Sequence, residues 1–204
     1  MAILNSKKKS KYSTVPLKLR RKMSISTFLK RYENYEGSKV ELDDGSPYMM
    51  GGASPIHEWL ISQLTIQFGN YLRSSPCQPY GSNLYLKTEE HSMREPDLTI
   101  ICDHSKFNGK VYEGIPRLIV EIVSPSSRIT DLYTKKGEYY RLGVREYWVV
   151  MSKDEVRVNI WSEDEYIEKV FKSVDGFLKV PVQIEDWDLV VEINESRIPK
   201  EILE

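Results

Sequence analysis

Pro116-Arg-Leu-Ile-Val-Glu121-Ile-Val-Ser-Pro-Ser126 is a short apolar run with a single carboxylate at its centre. Its length, its composition and the Ser-Pro that closes it read as a strand buried on both faces. A carboxylate in such a strand carries a heavy desolvation penalty unless it is paired, protonated or bound to a metal. The same device occurs upstream, where Asp97 opens the apolar stretch Glu95-Pro-Asp-Leu-Thr-Ile-Ile-Cys102. Side chains alternate along a strand, so Asp97 shares a side with Thr99 and Ile101, and Glu121 with Arg117, Ile119 and Val123. If the two strands are neighbours with these sides matched, the two carboxylates converge on one hard cation. Mg²⁺ suits that geometry, because it accepts one or two carboxylates and keeps several waters; Mn²⁺ can take its place. The alternative for each acid is a buried salt bridge or a helix cap.

Around these strands the pattern is mixed. A short helix is read from Ser26 to about Tyr32, then strands around Val40-Glu-Leu42 and Tyr48-Met-Met50, divided by the turn at Asp43-Asp-Gly-Ser-Pro47. Ser54 offers an N-cap and Pro55 a first helical residue. Ile56, Leu60, Leu64, Phe68 and Tyr71 then form one stripe, which predicts an amphipathic helix over 55–73. Residues 80–87 read as one strand, followed by strands at 96–102 and 117–123 with a polar loop at Asn108-Gly109 between them. A helix over 127–142 stops at Gly143, and Arg145–Val150 is a strand. Residues 156–161 and 166–171 form a hairpin, and 177–193 adds further strand. The strand–helix–strand unit at 117–150 points to a mixed α/β sheet flanked by helices.

On the second long helix Asp131, Lys135, Tyr139 and Gly143 recur every four residues and so share one face. Lys135 reads either as half of an i,i+4 ion pair with Asp131 or as an ammonium that orients a water and balances charge. Tyr139, Tyr140, Tyr147 and Trp148 read as packing residues.

The net charge of −1 conceals an asymmetry. Residues 1–22 carry eight Lys and Arg and no acid, leaving 21 basic against 30 acidic residues elsewhere, a net of −9. The segment is expected to be a separate, disordered basic arm, either merely solvated or in contact with phosphates, ahead of one domain over 23–204. Cys77 and Cys102 lack metal-ligand spacing and make no disulfide framework, which suggests a reducing, cytoplasmic setting. The three histidines are far apart, which argues against zinc. No apolar run approaches a bilayer span, so no membrane partner is expected. There is no Gly-x-Ser-x-Gly elbow, phosphate-binding glycine loop or His-x-x-x-His pair, and no organic cofactor is expected.

Pro96-Asp97, then Leu-Ile-Val-Glu121-Ile-Val-Ser-Pro-Ser, then Asp131-x3-Lys135-x3-Tyr139-x3-Gly143-Val-x-Glu-Tyr-Trp148, resembles the bacterial putative restriction endonuclease family, Uma-two, a branch of the PD-(D/E)XK nuclease superfamily. The resemblance runs over about 23–190 and extends to His57. It implies a restriction-endonuclease-like fold with an α-β-β-β-α-β core and strands added at both ends. It also implies a metal-dependent endonuclease acting on DNA, with Asp97, Glu121 and the backbone carbonyl of Ile122 holding Mg²⁺. The superfamily's usual lysine position is Val123 here. The resemblance implies that the lysine has moved to the helix as Lys135, with its ammonium returning to the same point to position the attacking water. His57 and Glu58 stand where an acid of the first helix can assist the metal, although His57 equally suits a helix-end hydrogen bond. Arg117 replaces an acid common in the family, and could contact phosphate or pair with Glu121. A single active site per chain and a two-stranded substrate suggest a homodimer, with the aromatic segment from Trp161 to Trp187 as the apolar contact. Two rival readings are an inactive nucleic-acid-binding or regulatory module on the same fold, and a structural domain whose acids form only salt bridges. A metal titration separates the latter from the rest.

Overall fold

The computed structural model describes residues 22–125 and 127–203. Of the basic arm, only Lys22 is among them, 2.5 Å from Asp44; the rest of that expectation lies outside the described residues.

Helix α1 (Ile25–Tyr32) starts where the Ser24 hydroxyl accepts the Thr27 N–H, and it buries Phe28. Strands β1 (Val40–Asp43) and β2 (Ser46–Met49) form the hairpin expected from the Asp-Gly turn, with Asp44 and Gly45 at φ 44° and 82°. Helix α2 (Pro55–Tyr71) begins as read, with the Ser54 hydroxyl accepting the His57 N–H and Pro55 in the first turn. Then come β3 (Gln78–Gly81), β4 (Tyr85–Glu89), β5 (Ser92–Arg94), β6 (Leu98–Ile101), β7 (Phe107–Asn108), β8 (Val111–Tyr112) and β9 (Leu118–Ile122). Residues 80–87 are thus not one strand. Asn83, at φ 92°, breaks them into β3 and β4, which belong to different sheets.

The helix after β9 also departs from the simple reading. Thr130–Lys135 is π-helical and continues into α3 (Lys136–Leu142), with Gly143 at φ 90° as its left-handed stop. Strands β10 (Glu146–Ser152), β11 (Glu155–Trp161), β12 (Tyr166–Lys172), β13 (Phe177–Pro181) and β14 (Val190–Asn194) complete the chain.

One six-stranded sheet has the order β12-β11-β10-β9-β6-β3, another β2-β1-β5-β4-β8-β7, and β13 pairs with β14 alone. In the first, β3, β6 and β9 are antiparallel neighbours, and β9 runs parallel to β10 through the helical crossover. With α2 ahead of them, this is the α-β-β-β-α-β core that the resemblance implied, with β4, β5, β7 and β8 of the other sheet inserted along the chain. Leu60, Leu64 and Phe68 of α2 pack on one face against Leu98, Val120 and Trp148, joined by Leu178 and Val191 of the β13/β14 pair. On the other face, Ile119 and Val149 pack with Tyr139 of α3 and with Leu86 and Tyr112 of the second sheet. Each fully buried Leu or Phe here contributes roughly 1.5–3 kcal/mol.

The cysteine expectation is corrected. Cys77 and Cys102 form a disulfide. The β3/β6 register pairs Gln78 with Ile101, which brings the residues flanking that pair face to face. A sequence separation of 25 gives no hint of this. The cysteines therefore no longer argue for a reducing interior. Among the described residues no helix is long and apolar enough to cross a membrane.

Candidate active site

The β6/β9 register joins Leu98 to Val120, and its continuation by one residue sets Asp97 opposite Glu121. Directly opposed residues of an antiparallel pair project to the same side, so the two acids of the apolar strands are brought together as their alternation required. Asp97 is anchored from β9 itself, its Oδ2 accepting the Ile122 N–H at 2.9 Å. The same oxygen accepts from His57 Nε2 at 3.1 Å, while Lys39 Nζ lies 3.0 Å from Oδ1. Burial works against the charge on Asp97, yet the His57 hydrogen bond and the Lys39 charge outweigh it and hold the carboxyl well below its usual range.

Lys135 does reach back from the helix to Glu121, at 3.0 Å from Oε1. It also lies 3.0 Å from Glu41 Oε1 and 3.4 Å from Asp131 Oδ1, and its side chain is 0% exposed. The i,i+4 pair with Asp131 therefore exists, but in the interior and shared with two further acids. Tyr139 OH donates to Glu121 Oε1 at 2.8 Å, and Tyr147 OH donates to the Asp131 carbonyl at 2.9 Å, so both rings read as packing also serve the polar site. The face shared by Asp131, Lys135 and Tyr139 is the face turned to Glu121.

Glu41 was missed by reading the sequence for Asp97 and Glu121 alone. It is fully buried on β1, where it accepts the Glu95 N–H at 3.1 Å and pairs with Arg94 at 3.4 Å. Arg94, itself buried, also holds Glu138 and Asp43. The signal was present: Val40-Glu-Leu42 repeats the pattern of a lone acid between apolar neighbours.

Burial pushes the Glu121 carboxyl up to about 8, with Lys135 opposing and the charges of Asp97, Asp131 and Glu41 adding to the rise. Asp131 is raised by burial in the same way. Lys135 stays charged, since its acidic neighbours more than offset its burial. Burial thus holds Glu121 and Asp131 toward their neutral forms, while Asp97 stays ionised.

A cavity of about 350 Å³ opens onto Asp97, Glu121, Ile122, His57 and Asp131. Glu58 is at its rim, largely exposed, 3.8 Å from His57 Nδ1. Burial opposes protonation of His57, but the Asp97 hydrogen bond and charge overcome it and raise the imidazole above its ordinary value. Arg117 is elsewhere. It lies 3.8 Å from Asp186 and lines a separate cavity with Arg145 and Trp161, while Glu121 is paired with Lys135. Ser124 lies at the end of β9, with its N–H and hydroxyl on Ser127 Oγ, as suits a turn.

Among the described residues no group of three His, Cys, Asp or Glu side chains is arranged to hold a metal. The donor set nevertheless fits Mg²⁺, which needs only one or two protein carboxylates. Two carboxyl groups face one cavity, Asp97 ionised, and a divalent cation placed there would favour the ionised form of Glu121 as well.

A family model described as "Putative restriction endonuclease" (Uma2) matches residues 25–192. An uncharacterised protein of Synechocystis sp. (strain ATCC 27184 / PCC 6803 / Kazusa) is 26% identical over 147 residues, covering 71% of this chain and 76% of the relative. The crystal structure of a putative nuclease belonging to DUF820, from Anabaena variabilis ATCC 29413, matches with a TM-score of 0.63 at 16% identity, over 83% of this chain and 95% of that one. That likeness establishes the restriction-endonuclease-like fold. With 25–192 of its 204 residues matched, the chain belongs to the Uma2 family of putative restriction endonucleases.

Proposed function

We propose that the protein is a nuclease that hydrolyses phosphodiester bonds in DNA with the help of Mg²⁺, or Mn²⁺ in its place. The observation that carries this reading is the juxtaposition of Asp97 and Glu121 across β6 and β9 at the wall of one cavity. Family membership supports the nuclease class.

Asp97 and Glu121 are the residues that would hold the ion, with the carbonyl of Ile122 beside them. When bound, the ion supplies Lewis-acid charge at the phosphate and a more acidic water. The chain's own contribution is orientation. Ile122 N–H and His57 fix one oxygen of Asp97, and Lys135 and Tyr139 both bind Oε1 of Glu121. Because Lys135 is wholly enclosed, it acts through Glu121 and Glu41, easing their ionisation and aligning them, rather than by touching the substrate.

The test combines two measurements. Calorimetry with Mn²⁺ should show binding in the parent protein and its loss in Asp97→Asn and Glu121→Gln. Supercoiled plasmid with Mg²⁺ should be cleaved by the parent only. Metal binding without cleavage of any DNA would favour the inactive binding module, and no metal binding would leave a domain with buried salt bridges.

A further inference from the structure

A phosphodiester in this cavity needs a cation beside it that can move to meet it, and Lys135 is not placed to be that cation. It is fully buried, committed to Glu41, Glu121 and Asp131, and absent from the cavity wall. Among the described residues, Lys39 is the one Lys or Arg that lines the cavity. It stands one residue before β1, and its side chain is 22% exposed. Its ammonium lies 3.0 Å from Asp97 Oδ1 and 3.4 Å from the Glu95 carbonyl.

The two oxygens of Asp97 are used differently. Oδ2 is fixed by the Ile122 N–H and His57, one of them a rigid backbone donor inside the sheet. Oδ1 is held by the end of a long, flexible side chain. A divalent ion held by Asp97 and Glu121 would therefore compete with Lys39 for the Asp97 carboxylate, since two positive charges would crowd one group. A lysine on a four-carbon stem can shift by a few ångströms to another anion, and it binds phosphate as a point charge.

Resting on the nuclease reading above, we propose that Lys39 is a two-position cation: it balances Asp97 in the metal-free site and moves to a substrate phosphate oxygen once a divalent ion takes Asp97. Lys39 is then a phosphate-binding residue of the site, and Lys135 its buried structural counterpart. Together with His57 and the Ile122 N–H, the ammonium also helps to compensate Asp97 before the ion arrives.

The experiment compares the parent with Lys39→Met and Lys39→Arg, using thermal melting to select conditions in which all three are folded. Calorimetric titration with Mn²⁺ alone should show Lys39→Met binding roughly tenfold or more tightly than the parent, because the competing charge is gone; Lys39→Arg should stay near the parent. Fluorescence anisotropy with a labelled duplex oligonucleotide should then show the reverse order. In saturating Mn²⁺, Lys39→Met should bind about tenfold more weakly than the parent, the loss of one charge-assisted contact. In EDTA the two should bind alike. Equal or weaker Mn²⁺ affinity in Lys39→Met overturns the proposal while leaving the nuclease reading intact. Equal DNA affinity in Mn²⁺ overturns the phosphate contact. A parent protein that takes up no Mn²⁺ overturns the nuclease reading and this inference together, a result recognised by identical silence in all three proteins.

Discussion

Lys135 and Glu41 meet at 3.0 Å in the interior, one from the π turn ahead of α3 and the other from β1. The contact ties the second sheet to the helix that also carries Tyr139, and it adds a third acid to the pair found on β6 and β9. One ammonium thus sits among three buried carboxylates.

Lys135→Met should therefore behave as loss of a buried counter-charge. Breaking a buried pair from one side costs about 3–5 kcal/mol, against a few tenths for an exposed i,i+4 pair. Urea unfolding near neutral pH should show the larger loss. A change within a few tenths of a kcal/mol would mean that the three acids do not depend on this lysine.

His57 offers a pH test with a fixed sign. Its raised value comes from Asp97 acting against burial, so the charged pair stabilises the fold fully below the ordinary histidine value of about 6.5 and is lost as pH rises through the higher folded value. In Asp97→Asn only burial and the nearby Lys39 and Glu58 charges remain, and the imidazole should titrate below its parent value. NMR titration of the His57 ring protons checks this; an unchanged midpoint would rule Asp97 out as the partner in solution.

The basic segment is tested by salt. Eight cationic residues in 1–22, all engaged on duplex phosphates, would contribute about −7 to the slope of log affinity against log salt. Deleting residues 1–22 should flatten the slope by up to that amount. An identical slope would make the segment a bystander in DNA binding.

The homodimer is likewise tested directly. Trp161 lies between Arg145 and Tyr140 within its own chain, so it is a poor contact residue. The exposed apolar side chains of the Trp161–Trp187 segment are Ile167, Val170, Val174 and Phe177, and β12 is an edge strand of its sheet. Light scattering at micromolar concentration should give about twice the chain mass of 23.8 kDa, and Ile167→Glu with Val170→Glu should return the monomer. A parent protein at the monomer mass would rule out a stable dimer.

Particular residues show where the chain was legible. Ser54-Pro55 and Gly143 marked helix ends because caps and stops depend on local backbone chemistry. Asp97 and Glu121 stood out because an acid among buried apolar residues is costly wherever it occurs. Glu41 obeyed the same logic in Val40-Glu-Leu42, but a four-residue strand in a tight hairpin resembles an ordinary surface hairpin until the helical segment carrying Lys135 packs against it.

By itself the sequence determined the order of the main helices and of the strands around Asp97 and Glu121, the side on which these two acids project, and their need for partners, since these follow from periods of 3.6 and 2.0 set by covalent geometry and from the cost of burying charge. Only the tertiary structure decided that Asp97 stands across from Glu121, that Cys77 meets Cys102, that Glu41 shares Lys135, and that Lys39 rather than Lys135 faces the cavity. Those are facts of register and burial between distant segments. They are settled when sheets and helices close their apolar faces together, and no local period encodes them.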